Sequence, residues 1–363
     1  MIPGWAWCGT WMPGIRRRLH SRRKRASKYR WDRAGRLAGK HTISRGTLSS
    51  LGLHRIHEVI GGAMYVILGA TGHTGSVAAR RLLDKGKKVR VMGRDSKKLA
   101  PFVSRGADAF PADVLDTDTL SRGFVGAEGV YVLIPPAMTL PDFRAYQDQV
   151  TESIAKALEK GGVTHAVTLS SVGADKPDKT GPVIGLHNME KRLAQIKGLN
   201  ALHLRAGYFM ENTLAQTGII KSFGMMAGPV RADLPLPMIA TKDIGVAAAE
   251  ALLRLDFEGQ KTQELLGPRD VTYTEAAKII GTAIGNPGLA YMQLPDEQVI
   301  QAMTGMGISR NMAELLCEMS ASLNNGYMKP LEPRSAKNTT PTTFETFVEE
   351  VFLPAFKGQA ASA

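Results

Sequence analysis

Residues 64–68 (MYVIL) run directly into residues 69–75 (GATGHTG), and residues 76–85 follow with apolar side chains at helical spacing. The apolar, β-rich pentapeptide predicts a buried strand, and the last segment predicts a helix. The glycines permit a tight turn and a close approach of the backbone to a pyrophosphate, whose charge the helix N-terminus attracts. The pattern therefore predicts a dinucleotide-binding turn, with GxxGxxG spacing instead of the GxGxxG of simple dehydrogenases. The residues expected to contact the cofactor here are Gly69, Thr71, Gly72, His73, Thr74 and Gly75.

The alternation of strand and helix continues along the chain. Helices are predicted at 116–124 and 142–160, and further strands at 88–92, 107–111, 129–134, 165–169 and 201–205. Repeated strand–helix units predict an α/β fold with a Rossmann-type, doubly wound parallel sheet. Ligands of such sheets bind beyond the carboxyl ends of the strands. Asp113, Pro135 and Ser170 are therefore further cofactor-binding candidates, and turn formation is an equally open role for Asp113.

The end of the second predicted strand bears on the choice between NADP(H) and NAD(H). An acidic residue at this place accepts hydrogen bonds from the ribose 2′-hydroxyl of NAD. Here Arg94 occupies the turn and Lys98 lies close behind it. Because a guanidinium can pair with a 2′-phosphate, we expect NADP(H) to be preferred, with both residues as contacts. Asp95 keeps NAD(H) possible, and a solvated basic loop is the alternative interpretation.

The positive charge of the chain is concentrated at one end. The 363 residues carry a formal net charge of +13, and residues 1–63 hold 14 Lys and Arg against two acidic residues. The remaining 300 residues hold 32 basic and 31 acidic residues, so they are nearly neutral. We therefore expect a basic, disordered leader and a folded body for which no nucleic-acid partner is expected.

The leader admits several interpretations. An Arg-rich, acid-poor segment is typical of an organelle transit peptide. Interleaved Arg, Lys and Trp also suit a basic arm on nucleic acid. The simplest interpretation is a flexible extension, or sequence upstream of a natural start at Met64. The order of apolar and basic residues is opposite to that of a secretory signal.

Composition narrows the class of protein further. Only two cysteines occur, Cys8 and Cys317, so neither a disulfide scaffold nor a Cys-rich zinc site is expected, and no metal is predicted. No apolar run reaches the length of a membrane-spanning helix, about 18 residues, so no membrane association is expected. The default location is the cytoplasm, and we expect a monomer or a homodimer.

The C-terminal part predicts a smaller α/β lobe for the substrate. Strands are predicted at 264–266 and 291–294, and helices at 242–255, 274–285, 296–303, 310–323 and 344–356. We assign 64–240 to the dinucleotide-binding domain, with segments returning from the C-terminal part, 241–357 mainly to the substrate lobe, and 358–363 to a tail. Methionine lines adaptable pockets but also fills helical cores, and the lobe contains Met292, Met303, Met306, Met312, Met319 and Met328.

Together these motifs resemble the NmrA-like family, atypical members of the short-chain dehydrogenase/reductase superfamily close to type-2 quinone oxidoreductases. The matching stretches span about 64–357 and lie at 65–75, 89–99, 170–174, 187–193, 204–212, 241–253, 265–277 and 342–350. The resemblance implies a Rossmann domain that binds NADP(H) and a smaller C-terminal substrate lobe. It does not fix a substrate, because the family includes both reductases and nucleotide-sensing regulators.

The wider superfamily implies a catalytic Ser, Tyr and Lys, the last two spaced YxxxK on a helix. Residues 187–191 (HNMEK) match this spacing. The resemblance implies that Lys191 holds the nicotinamide ribose and that His187 stands in the place of the Tyr. A His with a near-neutral pKa can donate a proton, and packing against the cofactor is its alternative role. Ser171 is the candidate for polarising the substrate, with Ser170 beside it.

The segment after the sixth predicted strand completes the candidate site. Its sequence, LRAGYFMEN, has Ala where the family commonly has Pro. Gly207 and Tyr208 are expected beside the nicotinamide, and Phe209 and Met210 at the substrate pocket. Ordinary core packing is the alternative for the aromatic residues.

These observations predict an NADPH-dependent oxidoreductase that transfers hydride to a small apolar acceptor such as a quinone. The alternative is a non-catalytic, NADP(H)-sensing regulator that binds a protein partner. NADPH consumption with a panel of quinones and aldehydes distinguishes the two.

Overall fold

A parallel sheet of seven strands organises the computed structural model, which describes residues 63–359. Its order is β10-β6-β5-β4-β1-β2-β3, which is a doubly wound Rossmann-type sheet, so the predicted fold class is confirmed. The predictions made for residues 1–62 and 360–363 lie outside the described residues. The strands are β1 (Met64–Leu68), β2 (Lys88–Gly93), β3 (Asp108–Pro111), β4 (Ala127–Val132), β5 (His165–Ser171), β6 (Asn200–Ala206), β7 (Tyr208–Phe209), β8 (Met226–Gly228), β9 (Met238–Ile239), β10 (Gln260–Leu265) and β11 (Tyr291–Gln293).

Several helices begin at recognisable capping residues. Asp116 accepts a hydrogen bond from the Thr119 amide at 3.0 Å, and Asp142 accepts one from the Ala145 amide at 2.9 Å. Among these helices of residues 63–359, none is both long and apolar enough to cross a bilayer. They are α1 (His73–Asp84), α2 (Ser96–Val103), α3 (Thr117–Phe124), α4 (Phe143–Gly161), α5 (Val183–Leu193), α6 (Gln216–Phe223), α7 (Thr241–Arg254), α8 (Tyr273–Ile284), α9 (Asp296–Gly305), α10 (Arg310–Asn324), α11 (Phe344–Phe347) and α12 (Leu353–Phe356).

Each face of the sheet carries its own apolar core. Along β1, Val66 and Leu68 pack into the core formed with α4 and α5, whereas Tyr65 and Ile67 pack into the core formed with α1 and α7. All four side chains are almost fully buried. Strands covered by helices on both faces are apolar throughout, which is why this run shows no alternation of polar and apolar residues.

The first part of the C-terminal region returns to the nucleotide-binding half. The strand expected in the substrate lobe at 264–266 is the end of β10, which pairs in parallel with β6 at the edge of the central sheet. Helix α7 packs on α1, where a Cβ on Gly245 would lie 2.5 Å from the Thr74 carbonyl oxygen. The prediction missed the start of β10 because its residues 260–262 are polar and exposed, as an edge strand allows.

The remaining C-terminal elements form a second group. Strand β11 pairs in parallel with β8, and α9 and α10 pack on each other around a small apolar core that includes Met303 and Cys317. The helix predicted at 344–356 is present, but it is interrupted by a π-helical turn at Val348–Phe352. Its rings Phe344 and Phe347 are buried in the core that also holds Tyr273 of α8.

Candidate active site

The turn between β1 and α1 depends on close backbone approaches. Gly69 adopts a φ of +72°, which glycine tolerates most readily. A Cβ on Gly75 would lie 2.4 Å from the carbonyl oxygen of Gly69, so a glycine is needed for the helix to start this near the strand. The amides in the first turn of a helix have no intrahelical partner. In α1 no side chain caps them at Gly72 either, so they stay open. These open N–H groups and the helix dipole fit a phosphate group.

The carboxyl ends of three strands meet beside this turn. The Gly69 amide donates to the Met92 carbonyl over 3.0 Å, and the Ala112 amide donates to the Gly93 carbonyl over 3.1 Å. The first bond joins the ends of β1 and β2, and the second joins the ends of β2 and β3. The sheet therefore brings the expected cofactor-binding segments to one edge.

Charged side chains lie at the outer part of this edge. Arg94 is exposed and makes no hydrogen bond or ion pair within residues 63–359. Burial raises the pKa of the nearby Tyr146 hydroxyl, and the charges of Arg94 and Asp113 act on that hydroxyl in opposite directions. Asp113 also accepts the Leu115 amide at 2.9 Å, which is the turn-forming role left open above. Lys98 is exposed on α2.

Thr74 cannot offer its side chain to a ligand. It is 5 % exposed, and its hydroxyl accepts a hydrogen bond from the Tyr131 hydroxyl over 2.9 Å. Only its backbone amide is available at the start of α1. Thr71 and His73 are exposed beside it, and Pro135 is half-buried beyond the end of β4.

The two serines at the end of β5 are both hydrogen-bonded within the protein. Ser170 donates to a Glu190 carboxylate oxygen over 2.6 Å, and Arg205 pairs with the same carboxylate at 2.6 Å. This ion pair is largely buried, and the Ser170 hydroxyl proton is engaged by the Glu190 carboxylate. Ser171 is half-buried and donates to the Val172 carbonyl over 2.9 Å.

The residues that match the YxxxK spacing line neither of the two cavities described below. His187 Nδ1 lies 2.8 Å from the Ala174 carbonyl oxygen, and Lys191 is exposed. Among the lining residues, α5 contributes Val183 and Leu186 and neither of these two. The catalytic roles assigned to His187, Lys191 and Ser171 stay predictions, and the geometry places His187 in a structural hydrogen bond.

A cavity of about 170 Å³, which we call the sheet-edge cavity, opens beyond β4, β5 and β6. Its wall is apolar on the sheet side and includes Phe209, whose role at a substrate pocket stays a prediction. Gly207 also borders it, and a Cβ there would lie 2.2 Å from the Pro237 carbonyl oxygen. The main lining residues are Leu133, Ile134, Leu169, Val172, Leu186 and Met328.

A second cavity, of about 120 Å³, lies between the C-terminal helices, and we call it the lobe cavity. It is lined largely by sulfur and ring side chains, among them Phe143, Tyr273, Tyr291, Met303, Met306 and Met312. The two cavities share lining residues and therefore adjoin. The shared residues are Pro182, Tyr208, Asn212, Leu316 and Met319.

Hydroxyl groups meet where the cavities adjoin. The hydroxyl oxygens of Tyr208 and Tyr273 are 2.9 Å apart, and Asn212, like Tyr208, lines both cavities. Tyr291 stacks on Tyr273 with ring centroids 4.4 Å apart and donates to the Val230 carbonyl. Burial raises the pKa values of Tyr208 and Tyr273, so both phenols are neutral at physiological pH.

The sequence indicated some of the residues that line the two cavities and gave no sign of others. Met210 is 1 % exposed, packs in the core and lines neither cavity, so its expected place at the substrate pocket is wrong. Met292 is half exposed and also lines neither cavity. Tyr273 and Tyr291 were not singled out, since nothing in the sequence indicates that residues so far apart meet, and Asn212 had no role assigned within the 204–212 motif. The lobe methionines were left open between pocket and core, and those that line a cavity are Met303, Met306, Met312, Met319 and Met328.

Metal ligands do not cluster in the part of the chain that the structure describes. Across residues 63–359, no group of three or more His, Cys, Asp or Glu side chains is arranged to hold an ion.

Comparison with known proteins places this architecture in context. The model of the NmrA-like family matches residues 64–349. An NAD(P)H azoreductase from Xenophilus azovorans is 28 % identical over 267 residues, which are 73 % of this chain and 89 % of that protein.

Two solved structures share the fold. An NADPH-dependent quinone oxidoreductase from Escherichia coli, complexed with NADPH, superposes with a TM-score of 0.63 at 20 % identity, covering 83 % of this chain and 96 % of that one. A triphenylmethane reductase from Citrobacter sp., complexed with NADP(H), gives a TM-score of 0.63 at 18 % identity, covering 79 % and 99 %.

Proposed function

The chain belongs to the NmrA-like family, and from that premise we propose that it is an NAD(P)H-dependent oxidoreductase that reduces an apolar acceptor such as a quinone. One observation carries the proposal: the open phosphate-binding turn and the sheet-edge cavity lie at the same edge of the sheet, and the lobe cavity adjoins the sheet-edge cavity. The azoreductase relative, which is similar over most of its length, supports it. Bound NAD(P)H supplies the hydride for such a reaction.

The residues of the turn suit the dinucleotide. The amides at the start of α1 bind the pyrophosphate, and Gly75 keeps the helix close enough to do so. At the end of β2, Arg94 has a guanidinium with no hydrogen bond or ion pair to the described residues. That guanidinium suits a ribose 2′-phosphate, and NADP(H) is therefore the cofactor we propose.

The cavities suit the acceptor. Leu133, Ile134 and Leu186 form the apolar wall of the sheet-edge cavity, which excludes water from the reacting atoms. The lobe cavity extends the space with methionine and tyrosine side chains, which adapt to flat, apolar molecules. A site of this kind orients the acceptor mainly by shape, and positioning supplies much of the rate.

The test is NADPH consumption by the full chain with quinones, aldehydes and azo dyes. We expect turnover with quinones or azo dyes, weaker turnover with aldehydes, and tighter binding of NADPH than of NADH. Tight NADPH binding with no turnover of any acceptor would reject the enzyme and favour the regulatory interpretation, which has less support among the relatives. Tighter binding of NADH would reject only the cofactor preference.

A further inference from the structure

The position that carries the proton-donating Tyr in the wider superfamily is occupied here by His187. Its Nδ1 atom lies 2.8 Å from the Ala174 carbonyl oxygen, and its side chain lines neither cavity. Reduction of a quinone places negative charge on oxygen, and an apolar cavity stabilises that charge poorly without a donor. If the chain reduces such acceptors, the donor has to come from another element.

Most polar side chains around the two cavities already donate to the protein itself. Ser170 donates its hydroxyl proton to a carboxylate. The other side chains donate to backbone carbonyls, and they are Ser171, Gln216, Tyr291 and Ser320. Lys329 also borders the sheet-edge cavity, but it is exposed at the surface.

One hydroxyl proton of the pair formed by Tyr208 and Tyr273 is not used in the hydrogen bond between them. Two phenol groups carry two protons, and the contact of 2.9 Å between their oxygens uses one of them. Burial raises the pKa of the Tyr208 phenol, and the hydrogen bond with Tyr273 lowers it by less. Tyr208 lines both cavities, so its remaining proton can point toward a molecule bound there.

We propose that Tyr208, supported by Tyr273, donates the hydrogen bond that stabilises the oxygen of a carbonyl acceptor while hydride is added. The inference rests on the proposed function. A hydride brings two electrons to the quinone, the Tyr208 hydroxyl stabilises the oxygen that becomes negative, and a solvent proton completes the hydroquinone. The proton of Tyr208 stays on the phenol, so the step balances without a further reactant.

The proposal predicts a contrast between two classes of acceptor. A quinone becomes negative on receiving hydride, whereas a cationic triarylmethane dye becomes neutral and requires no donor. Tyr208→Phe is expected to lower kcat with a quinone on the order of 10²-fold, and to leave kcat with the dye and the NADPH Kd nearly unchanged. Tyr273→Phe, which removes only the supporting hydroxyl, should produce a smaller loss with the quinone.

The matched control is Tyr327→Phe, which removes a hydroxyl that bonds Asp178 outside both cavities. We expect no change with either acceptor. An equal loss with both acceptors in Tyr208→Phe, or no loss with the quinone, would overturn the proposal.

A spectroscopic measurement separates this proposal from the proposed function. Infrared spectra of a quinone bound to the full chain should show the carbonyl band shifted to lower frequency, and Tyr208→Phe should remove the shift. The measurement requires binding but no turnover. An unshifted band in the wild type would therefore overturn the hydrogen bond even if quinones are reduced. Failure of every acceptor to oxidise NADPH would reject the function instead.

Discussion

The dinucleotide-binding turn and the lobe cavity are built in opposite ways. The turn consists of seven consecutive residues, and its ligand-binding groups are backbone amides made accessible by Gly69 and Gly75. The lobe cavity is lined by side chains from distant segments, such as Tyr208, Tyr273 and Met303. Cofactor binding is thus encoded locally, whereas the acceptor site depends on how the whole chain packs.

The two regions also differ in how substitutions should act. A change in the turn moves backbone atoms and affects every ligand that uses them. A change in the lobe cavity alters only the shape or the hydrogen bonding that one acceptor meets. Substitutions in the two regions should therefore give separable effects on NADPH binding and on acceptor use.

The largest effect is expected for Gly75→Ala. Its Cβ would lie 2.4 Å from the Gly69 carbonyl oxygen, so α1 must shift away from the strand. Overpacking of this kind destabilises folded proteins by about 1–3 kcal/mol. Misplacement of the amides should weaken NADPH binding on the order of 10²-fold. Thermal unfolding and NADPH titration measure the two effects.

The control for that change is Gly305→Ala, since a Cβ at Gly305 meets nothing within 4 Å. We expect its unfolding temperature and NADPH affinity to match those of the wild type. If the Gly75→Ala protein binds NADPH with wild-type affinity, cofactor binding does not depend on the close backbone approach at this glycine.

A smaller effect, confined to the acceptor, is expected for Ala302→Phe. Ala302 lies on α9 and lines the lobe cavity, so a ring there fills part of the space. The kcat/KM for a two-ring acceptor should fall about tenfold or more, by analogy with the discrimination that single groups produce in apolar pockets. Steady-state kinetics with a one-ring and a two-ring quinone measure it. A parallel loss of NADPH affinity would contradict the separation of the two regions.

The effect of Arg94→Ala should be limited to the cofactor. Loss of one charge-assisted hydrogen bond to phosphate corresponds to about tenfold weaker NADPH binding, with NADH binding unchanged. Arg254→Ala is the control, because Arg254 pairs only with Asp256 on an exposed surface. Equal losses for NADPH and NADH at Arg94 would refute its contact with the 2′-phosphate.

The smallest effect concerns pH. Burial raises the pKa of Tyr208 above the ordinary tyrosine value of 10.0, so the phenol stays protonated over a wider alkaline range than an exposed tyrosine does. Hence kcat with a quinone should not fall as the pH rises from neutrality toward that value. A pH profile of kcat at saturating NADPH tests this, and a loss centred well below the ordinary tyrosine value would indicate a different donor.

The sequence predicted the elements whose signals are local. The apolar runs of β1, β4 and β5 and the capped helix α4 appear nearly where they were expected. Helix α2 was not predicted, because Pro101 lies within it and only Leu99 and Phe102 are buried. The start of β10 was missed because an exposed edge strand needs no apolar pattern.

The residues of the candidate site also differ in whether a local sequence signal indicates them. Gly69, Gly75 and Arg94 were singled out because short motifs predict roles for them, and those roles stay predictions. Met210 was misplaced because an apolar side chain beside a pocket and one in the core look alike in sequence. Tyr273 was missed because its contact with Tyr208 joins residues 65 positions apart in the chain.

Hydride transfer from NADPH to a quinone is tested most directly by single-turnover oxidation of NADPH bound to the full chain after mixing with a quinone. We expect rapid loss of NADPH absorbance, slowed severalfold when the transferred hydrogen is replaced by deuterium. NADPH that stays bound and unoxidised by quinones and azo dyes alike would contradict it.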